Sequence, residues 1–221
     1  NPSVSFHVIC TTKDEVDAIW EKLSGGGSVL MELGAYPFSE RYGWLQDKYA
    51  VSWQLMLVKP EAQEQKFVPA LMFTKLMAGK AEEAMNLYTS LFPNSSIKAI
   101  NRYEKGEGDV EGTVKHGRFV LNGQLFVAMD SSMPHAFSFD EGMSIVVNCD
   151  SQEEIDRYWN ALSSDGGQES MCGWLKDKYG VSWQIVPSML GKLISNPEKG
   201  QRAMEALMKM KKLVIVDLEN A

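Results

Sequence analysis

The chain has 221 residues, of which 44% are hydrophobic and 23% are charged, a balance typical of globular proteins that excludes a disordered chain. Its formal net charge of −7 disfavours a broad nucleic-acid or anionic-membrane surface, and no apolar run approaches the ~20 residues of a membrane span. The cysteines, Cys10, Cys149 and Cys172, form neither a disulfide framework nor a CxxC metal pattern. This cysteine usage predicts a cytoplasmic protein.

The first predicted elements are a strand and an amphipathic helix. The run SFHVIC is rich in β-forming residues, and Thr12 with Glu15 then forms a capping box that opens a helix. Gly25–Gly27 ends this helix, and VSWQLML follows as a strand. One apolar face of the helix is predicted from the spacing of Val16, Ile19, Trp20 and Leu23.

Residues 66–130 show the same order of predicted elements with a different amino-acid sequence. KFVPALMF reads as a strand, GKAEEAMNLYTSLF as a helix that Pro93 stops, and three further strand-like runs follow. Asn122-Gly123 between the last two runs predicts a two-residue hairpin. The segment therefore predicts a βαβββ module.

The chain also contains a direct duplication. Residues 43–54 read GWLQDKYAVSWQ and residues 173–184 read GWLKDKYGVSWQ, which differ only at Gln46/Lys176 and Ala50/Gly180. The match extends upstream, where Cys10 falls on Cys149. Three βαβββ modules are therefore predicted, at 1–58, 66–130 and 136–188, with a linker at 59–65 and a C-terminal helical tail at 189–221. The predicted fold class is α+β.

Several of these segments are similar to one known family. FVPALMF, GKAEEAMNLYTSLFPNS, FVLNGQLFVAMD, SQEEIDRYW and GWLKDKYGVSWQIVP closely resemble the PhnB-like, or 3-demethylubiquinone-9 3-methyltransferase-like, branch of the vicinal oxygen chelate superfamily. This superfamily contains glyoxalases, extradiol dioxygenases and bleomycin-resistance proteins. The resemblance implies that two modules pair into a curved mixed sheet around a small-molecule cavity.

The resemblance also implies how the modules divide into domains. Residues 66–188 would be one complete two-module domain, and residues 1–58 the second half of an incomplete N-terminal domain. An isolated module would leave its sheet face and edge exposed. We therefore expect a homodimer, or a further module preceding Asn1 that covers residues 1–58.

The resemblance places Gln184, and Gln54 in the first copy, where metal enzymes of the superfamily carry a glutamate ligand. A neutral amide is a weaker ligand than a carboxylate, and the usual histidine position falls near Met143 and Ser144. No metal site and no cofactor are therefore predicted. Ser182 shares a strand face with Gln184 and joins it as a candidate for ligand binding.

Further ligand-binding candidates lie elsewhere in the repeats. Trp174 is a candidate for the pocket mouth, and His116, Asp130 and Arg102 would bind an anionic or hydroxylated ligand if they converge. His7, whose counterpart in the third module is Val146, is interpreted as a packed or surface residue.

The sequence favours a small-molecule-binding protein of sequestering or resistance type. Two alternatives stay open: an enzyme, either metal-dependent and lyase- or dioxygenase-like or the methyltransferase of the family label, and a structural or regulatory dimer. A doubly wound methyltransferase needs a glycine-rich turn between a strand and a helix, whereas Gly25–Gly27 follows a helix. The ligand and the presence of turnover are not determined by the sequence.

Overall fold

The computed structural model describes residues 1–62 and 64–221. The chain divides into two compact units, Asn1–Phe139 (unit 1) and Asp140–Ala221 (unit 2). Each unit combines a mixed sheet with helices, so the predicted α+β class is confirmed. Across these described residues, no helix is long and apolar enough to cross a membrane.

Unit 1 contains two βαβββ modules. The first consists of β1 (Val4–Cys10), α1 (Lys13–Ser24), β2 (Ser28–Tyr36), β3 (Ser39–Gln46) and β4 (Ser52–Leu57). The second consists of β5 (Phe67–Thr74), α2 (Ala81–Leu91), β6 (Ser96–Arg102), β7 (Val114–Leu121) and β8 (Gln124–Ser131).

One eight-stranded sheet joins the two modules in the order β2-β3-β4-β1-β5-β8-β7-β6. β1 runs parallel to β4 and antiparallel to β5, with Ser5 opposite Ala70 and His7 opposite Val68. The first strands of the two modules are therefore neighbours at the centre of the sheet. The sheet has the same strand–helix module on either side of this junction.

This pairing differs from the expected domain division, in which 66–188 is complete and 1–58 lacks a partner. Residues 1–58 have their partner in residues 66–130, and residues 136–188 form a sheet of their own. Because 1–58 and 136–188 carry the same motif, the sequence does not determine which of them pairs with 66–130. Contacts of Lys66 at the start of the second module support its pairing with residues 1–58. Lys66 Nζ lies 2.6 Å from Glu15 Oε1 and 2.8 Å from the Ile9 carbonyl oxygen.

Alternation along β1 divides its side chains between two faces of the sheet. Val8 and Cys10 are fully buried and pack with Val16 of α1 and Leu55 of β4. Side chains of a strand alternate between faces, so His7 lies on the face opposite α1. This second face is the one that carries the cavity described below.

Unit 2 contains the third module and the C-terminal helices. Its sheet has the order β10-β11-β12-β9, so β9 is an edge strand of that sheet. The elements are β9 (Ile145–Cys149), α3 (Gln152–Ser163), β10 (Gln168–Glu169), β11 (Trp174–Lys176), β12 (Ser182–Pro187), α4 (Leu190–Ile194), α5 (Gly200–Leu207) and α6 (Ile215–Glu219). Buried Leu207, Leu213 and Leu218 form the apolar cluster of the C-terminal helices.

The duplicated DKYxVSW segment has the same structure in both copies. Asp177 Oδ1 accepts hydrogen bonds from the backbone N–H groups of Tyr179 and Val181, and its Oδ2 accepts one from Trp183 Nε1 at 2.9 Å. Asp47 makes the equivalent three bonds in the first module. The strong identity of the two segments is therefore explained by a loop that an aspartate holds together.

Candidate functional site

Unit 1 has a partly open cavity of about 190 Å³ on the sheet face opposite the helices. Its wall is mostly apolar and comes from both modules and the linker. The polar side chains on it include His7, His116 and Arg118. The apolar wall includes Ile9, Met56, Val58, Val68, Leu125 and Val127.

Curvature of the sheet brings the two histidines together. β1 and β7 are separated by β5 and β8, so a flat sheet would hold these strands about 14 Å apart at ~4.8 Å per spacing. The ring centroids of His7 and His116 are only 6.2 Å apart, and the rings are nearly parallel, at 24°. The curved sheet predicted from the family resemblance is therefore present in unit 1.

His7 is the least satisfied polar group of this site. Its side chain is 3% exposed, and Nε2 is buried without a hydrogen-bond partner among the described residues. Burial lowers the pKa of His7 to about 3; the nearby His116 also lowers it, and a hydrogen bond with the Gln54 side chain opposes the shift. The ring is therefore neutral at physiological pH.

A buried hydrogen-bond network lies on the strands beside His7. Gln54 lies beside His7 in the register of β1 and β4. Gln54 Oε1 accepts a hydrogen bond from the Tyr42 hydroxyl at 2.6 Å, and Gln54 Nε2 donates to Ser5 Oγ at 2.7 Å. Burial raises the pKa of Tyr42, which keeps this hydroxyl protonated as a donor.

An ion pair of Arg118 with Glu64 lies on the wall of the cavity. Its guanidinium donates to Glu64 Oε1 at 2.6 Å, and the Arg118 and Glu64 side chains are 35% and 57% exposed. Burial and the charge of Arg118 both lower the pKa of His116. The two histidines are thus neutral polar groups, and the Arg118–Glu64 ion pair lies on the partly exposed side of the wall.

The donor set does not fit the divalent metal centre that the superfamily implies. Gln54, at the expected ligand position, has both its oxygen and its nitrogen bonded to protein groups. Within residues 1–62 and 64–221, no three His, Cys, Asp or Glu side chains are grouped so that they could hold a metal ion. We therefore derive no step through a metal ion.

Two of the predicted site residues of unit 1 lie away from this cavity. Arg102 makes a double hydrogen bond to Glu82, at 2.7 Å for each contact, on the exposed surface. Asp130 is buried and accepts backbone N–H bonds from Gly79, Ala81 and Val114, so it holds the start of α2 against β7. Of the three residues expected to converge, only His116 lines the cavity.

The remaining predicted residues lie in unit 2. Gln184 Nε2 donates to Ser144 Oγ at 2.8 Å, which repeats the Gln54–Ser5 contact of the first module. Ser182 and Trp174 line a separate depression of about 480 Å³. Ser182 is buried and donates to the Asp140 carbonyl oxygen at 3.0 Å.

His7 and Arg118 are the site residues that sequence reasoning missed. One sequence pattern pointed to His7. Two-residue alternation places it on the same strand face as Ser5, and Ser5 aligns with Ser144, near which the superfamily's histidine ligand is expected. Its pairing with His116 depends on which modules share a sheet. Arg118 had no comparable signal, since an arginine in an alternating strand is ordinarily solvent-exposed.

The architecture and the cavity define the class of protein to which the chain belongs. Two βαβββ modules that form one curved mixed sheet around a cavity are typical of the glyoxalase/bleomycin resistance/dioxygenase superfamily. A family model described as 3-demethylubiquinone-9 3-methyltransferase matches residues 1–56 and 65–186. The chain therefore belongs to this family, and the resemblance seen in the sequence is confirmed.

Several solved structures are similar to this chain. The PhnB protein from Bacillus cereus is 46% identical over 56% of this chain and 99% of that chain, with a TM-score of 0.52. Glyoxalase I from Zea mays is 10% identical over 84% of this chain and 67% of that chain, with a TM-score of 0.52, and shares the fold. A superfamily member from Vibrio splendidus 12B01 is 14% identical over 57% and 95%, with a TM-score of 0.35. No curated protein matches the chain.

Proposed function

We propose that unit 1 binds a small, largely apolar organic molecule in the cavity between its two modules. The observation that carries this proposal is the mostly apolar cavity of about 190 Å³, which residues of both modules line together. Moving an apolar molecule from water into such a cavity is favourable because apolar surface is removed from water.

Binding is favoured over proton-transfer catalysis by the environment of His7. A general base works best when its pKa lies near the operating pH. Burial and His116 hold the pKa of His7 at about 3, which makes the ring a weak base. The site therefore supports a sequestering protein better than a lyase- or dioxygenase-like enzyme.

The size of the cavity limits the ligand. A volume of about 190 Å³ is below the ~300–1,000 Å³ of sites for drug-sized ligands. An apolar cavity of about 150 Å³ is large enough for benzene. One-ring molecules with a short substituent are therefore suitable probes.

Titration of the full ¹⁵N-labelled chain with benzyl alcohol tests this function by NMR. We expect amide shifts at Ile9, Val68 and Val127 that saturate with the probe. Val127→Phe fills the cavity and should abolish these shifts, whereas Val29→Phe, at a 43% exposed position of β2, should preserve them. Met56→Trp is a second filling variant if Val127→Phe does not fold. Absence of saturable shifts in the unmodified chain would refute the proposal.

A further inference from the structure

We propose that the cavity of unit 1 binds a small carboxylate with an apolar body, and that the carboxylate group of this ligand replaces Glu64 as the partner of Arg118. This inference rests on the proposed function, since it names the chemical class of ligand for the same cavity. It follows from the position of Arg118 in the sheet, from the exposure of the Arg118–Glu64 ion pair and from the anchoring of the linker. Glu64 is then an internal competitor of the ligand.

Strand β7 holds Arg118 on the wall of the cavity. His116 and Arg118 lie two positions apart on one face of this strand, and both line the cavity. Gly117 between them faces α2, where a Cβ atom would lie 2.8 Å from Met85 Sδ. Arg118 pairs with Val127 of β8, which belongs to the apolar part of the wall. The Arg118 side chain therefore begins beside an apolar surface that can hold the body of a ligand.

The hydrogen-bonding capacity of Arg118 is only partly used. A guanidinium has five N–H donors, and the described residues provide that of Arg118 with one acceptor, Glu64 Oε1 at 2.6 Å. A ligand carboxylate can accept two parallel hydrogen bonds from a guanidinium, an arrangement that adds both strength and geometric specificity. The lowered pKa of His116 keeps its ring neutral, so one further N–H donor lies on the same strand face.

The existing ion pair can be exchanged at little cost. The Arg118 and Glu64 side chains are 35% and 57% exposed, and exposed ion pairs contribute little to stability. The linker is held by a different contact, because Gln65 Nε2 donates to the Leu125 carbonyl oxygen at 3.2 Å and Gln65 Oε1 accepts from the Leu125 N–H at 2.9 Å. The Glu64 side chain can therefore leave Arg118 while the linker stays attached to β8.

The positions of the two charges favour an anionic ligand over a cationic one. Of the described residues that line the cavity, the charged ones are Arg118 and Glu64. A cation would keep Glu64 as its partner and displace Arg118, whose charge stays on the sheet and repels it. An anion instead displaces Glu64, the more exposed member of the pair, and gains charge-assisted hydrogen bonds from the guanidinium.

The rest of the wall determines the body of the ligand. Ile9, Val68 and Val127 form part of an apolar cluster at the sheet face. A charged group held against these side chains would lose its hydration without compensation, so the carboxylate belongs at the partly exposed side with Arg118. The ligand class is therefore a monocarboxylate with a compact apolar body.

Three probes of similar shape separate the effect of charge from that of size: phenylacetate, phenylacetamide and phenethylammonium. They carry a carboxylate, a neutral amide and an ammonium group on the same aromatic body. NMR titration of the full ¹⁵N-labelled chain at low ionic strength measures the three dissociation constants. We expect phenylacetate to bind at least about tenfold more tightly than either of the others, because hydrogen bonds to a charged acceptor are roughly twice as strong as neutral ones.

Arg118→Gln tests the residue that carries the preference. This variant should bind phenylacetate and phenylacetamide with equal affinity. Arg41→Gln is the matched control, because Arg41 is 31% exposed and is bonded to a carboxylate of α1, that of Asp17, at 2.7 Å. The control should retain the preference for phenylacetate. Arg118→Lys serves as the second variant if Arg118→Gln does not fold, and it should reduce the preference because an ammonium group lacks the planar fork of donors.

Glu64→Gln tests the exchange of carboxylates. The variant removes the internal competitor, so it should bind phenylacetate several-fold more tightly and phenylacetamide as before. Glu61→Gln is the control, because Glu61 is an exposed residue of the same linker and its replacement changes the net charge equally. We expect this control to bind phenylacetate as the original chain does.

The outcomes distinguish the ligand class from the function. If phenylacetate and phenylacetamide bind the original chain equally well and benzyl alcohol also binds, the proposed function stands and the carboxylate class is overturned. If neither these probes nor benzyl alcohol binds, both proposals fail. If Glu64→Gln and Glu61→Gln have the same effect on the affinity for phenylacetate, the replacement of Glu64 by the ligand is overturned.

Discussion

His7 and Val146 occupy equivalent positions in two copies of the same module, yet their surroundings differ. His7 is 3% exposed, and Val146 is 51% exposed. The difference arises because β5 pairs with β1 in unit 1, and residues of the second module cover the sheet face on which His7 lies. A histidine at this position has a low pKa only because another module removes it from water.

The burial of His7 predicts a pH-dependent stability of unit 1. The pKa of His7 falls from 6.5 in the unfolded chain to about 3 in the folded protein, so the unfolded chain binds an additional proton as the pH drops below 6.5. Stability is thus lost as the pH falls from 6.5 towards 3. Between pH 7 and pH 5 we expect a loss of about 2 kcal/mol from this residue.

Urea unfolding of the unmodified chain and of His7→Val at both pH values, followed through NMR signals of unit 1, measures this loss. His116 remains in both proteins, so its contribution cancels in the comparison. Equal pH dependence in the two proteins would show that His7 is accessible to protons in the folded state.

At the scale of elements, the duplicated loop requires a residue with positive φ and an aspartate that binds the loop backbone. Ala50 has φ 64° and Gly180 has φ 88° at the same position of the two copies. The left-handed region costs a residue with a Cβ atom about 1–2 kcal/mol, and glycine adopts it without this cost. The Asp47 and Asp177 bonds hold the loop in place in both modules.

We therefore expect opposite effects from exchanging the two residues. Ala50→Gly should stabilise unit 1 by about 0.5–1 kcal/mol, and Gly180→Ala should destabilise unit 2 by about 1 kcal/mol or more. Gly25→Ala is the control, since Gly25 has φ −61° and open space around its Cβ position, and it should not be destabilising. Denaturant unfolding resolved by unit gives the free energies; a destabilised Ala50→Gly would contradict the strain argument.

Local signals in the sequence are sufficient to predict most of the helices and strands. Thr12 caps α1 as predicted, and Ser151 caps α3 in the same way, with bonds from the backbone N–H groups of Glu15 and Glu154. The hairpin at Asn122-Gly123 is also present between β7 and β8. These features depend on neighbours within a few residues, and so a single sequence contains the required information.

Long-range pairing is the part that the sequence leaves open. Modules 1–58 and 136–188 present the same motif to a partner, and the one first-half module, 66–130, joins one of them. The candidate site depends on this choice, because His7 meets His116 only when the first module is the partner. Sequence reasoning found His116 and Gln54, whereas the pair and its cavity required the three-dimensional arrangement.

At the scale of the whole molecule, the sheet of unit 2 ends at the first strand of the third module. β9 is the edge strand of its sheet, although its counterpart β1 pairs antiparallel with β5 in unit 1. An edge strand offers backbone groups for pairing with another chain. Antiparallel pairing of β9 with β9 of a second copy would extend the sheet across a two-fold axis, the most common oligomer symmetry.

We predict that the chain forms a dimer through β9 and that Val146→Lys weakens it. A lysine on an edge strand opposes pairing, and two lysines close to the symmetry axis would repel each other. Val216→Lys is the control, because Val216 of α6 is 55% exposed and carries the same change of charge. Sedimentation should show a dimer for the unmodified chain and for Val216→Lys, and a shift towards monomer for Val146→Lys. A 24.7 kDa monomer for the unmodified chain would contradict pairing through β9, as would a dimer that Val146→Lys leaves intact.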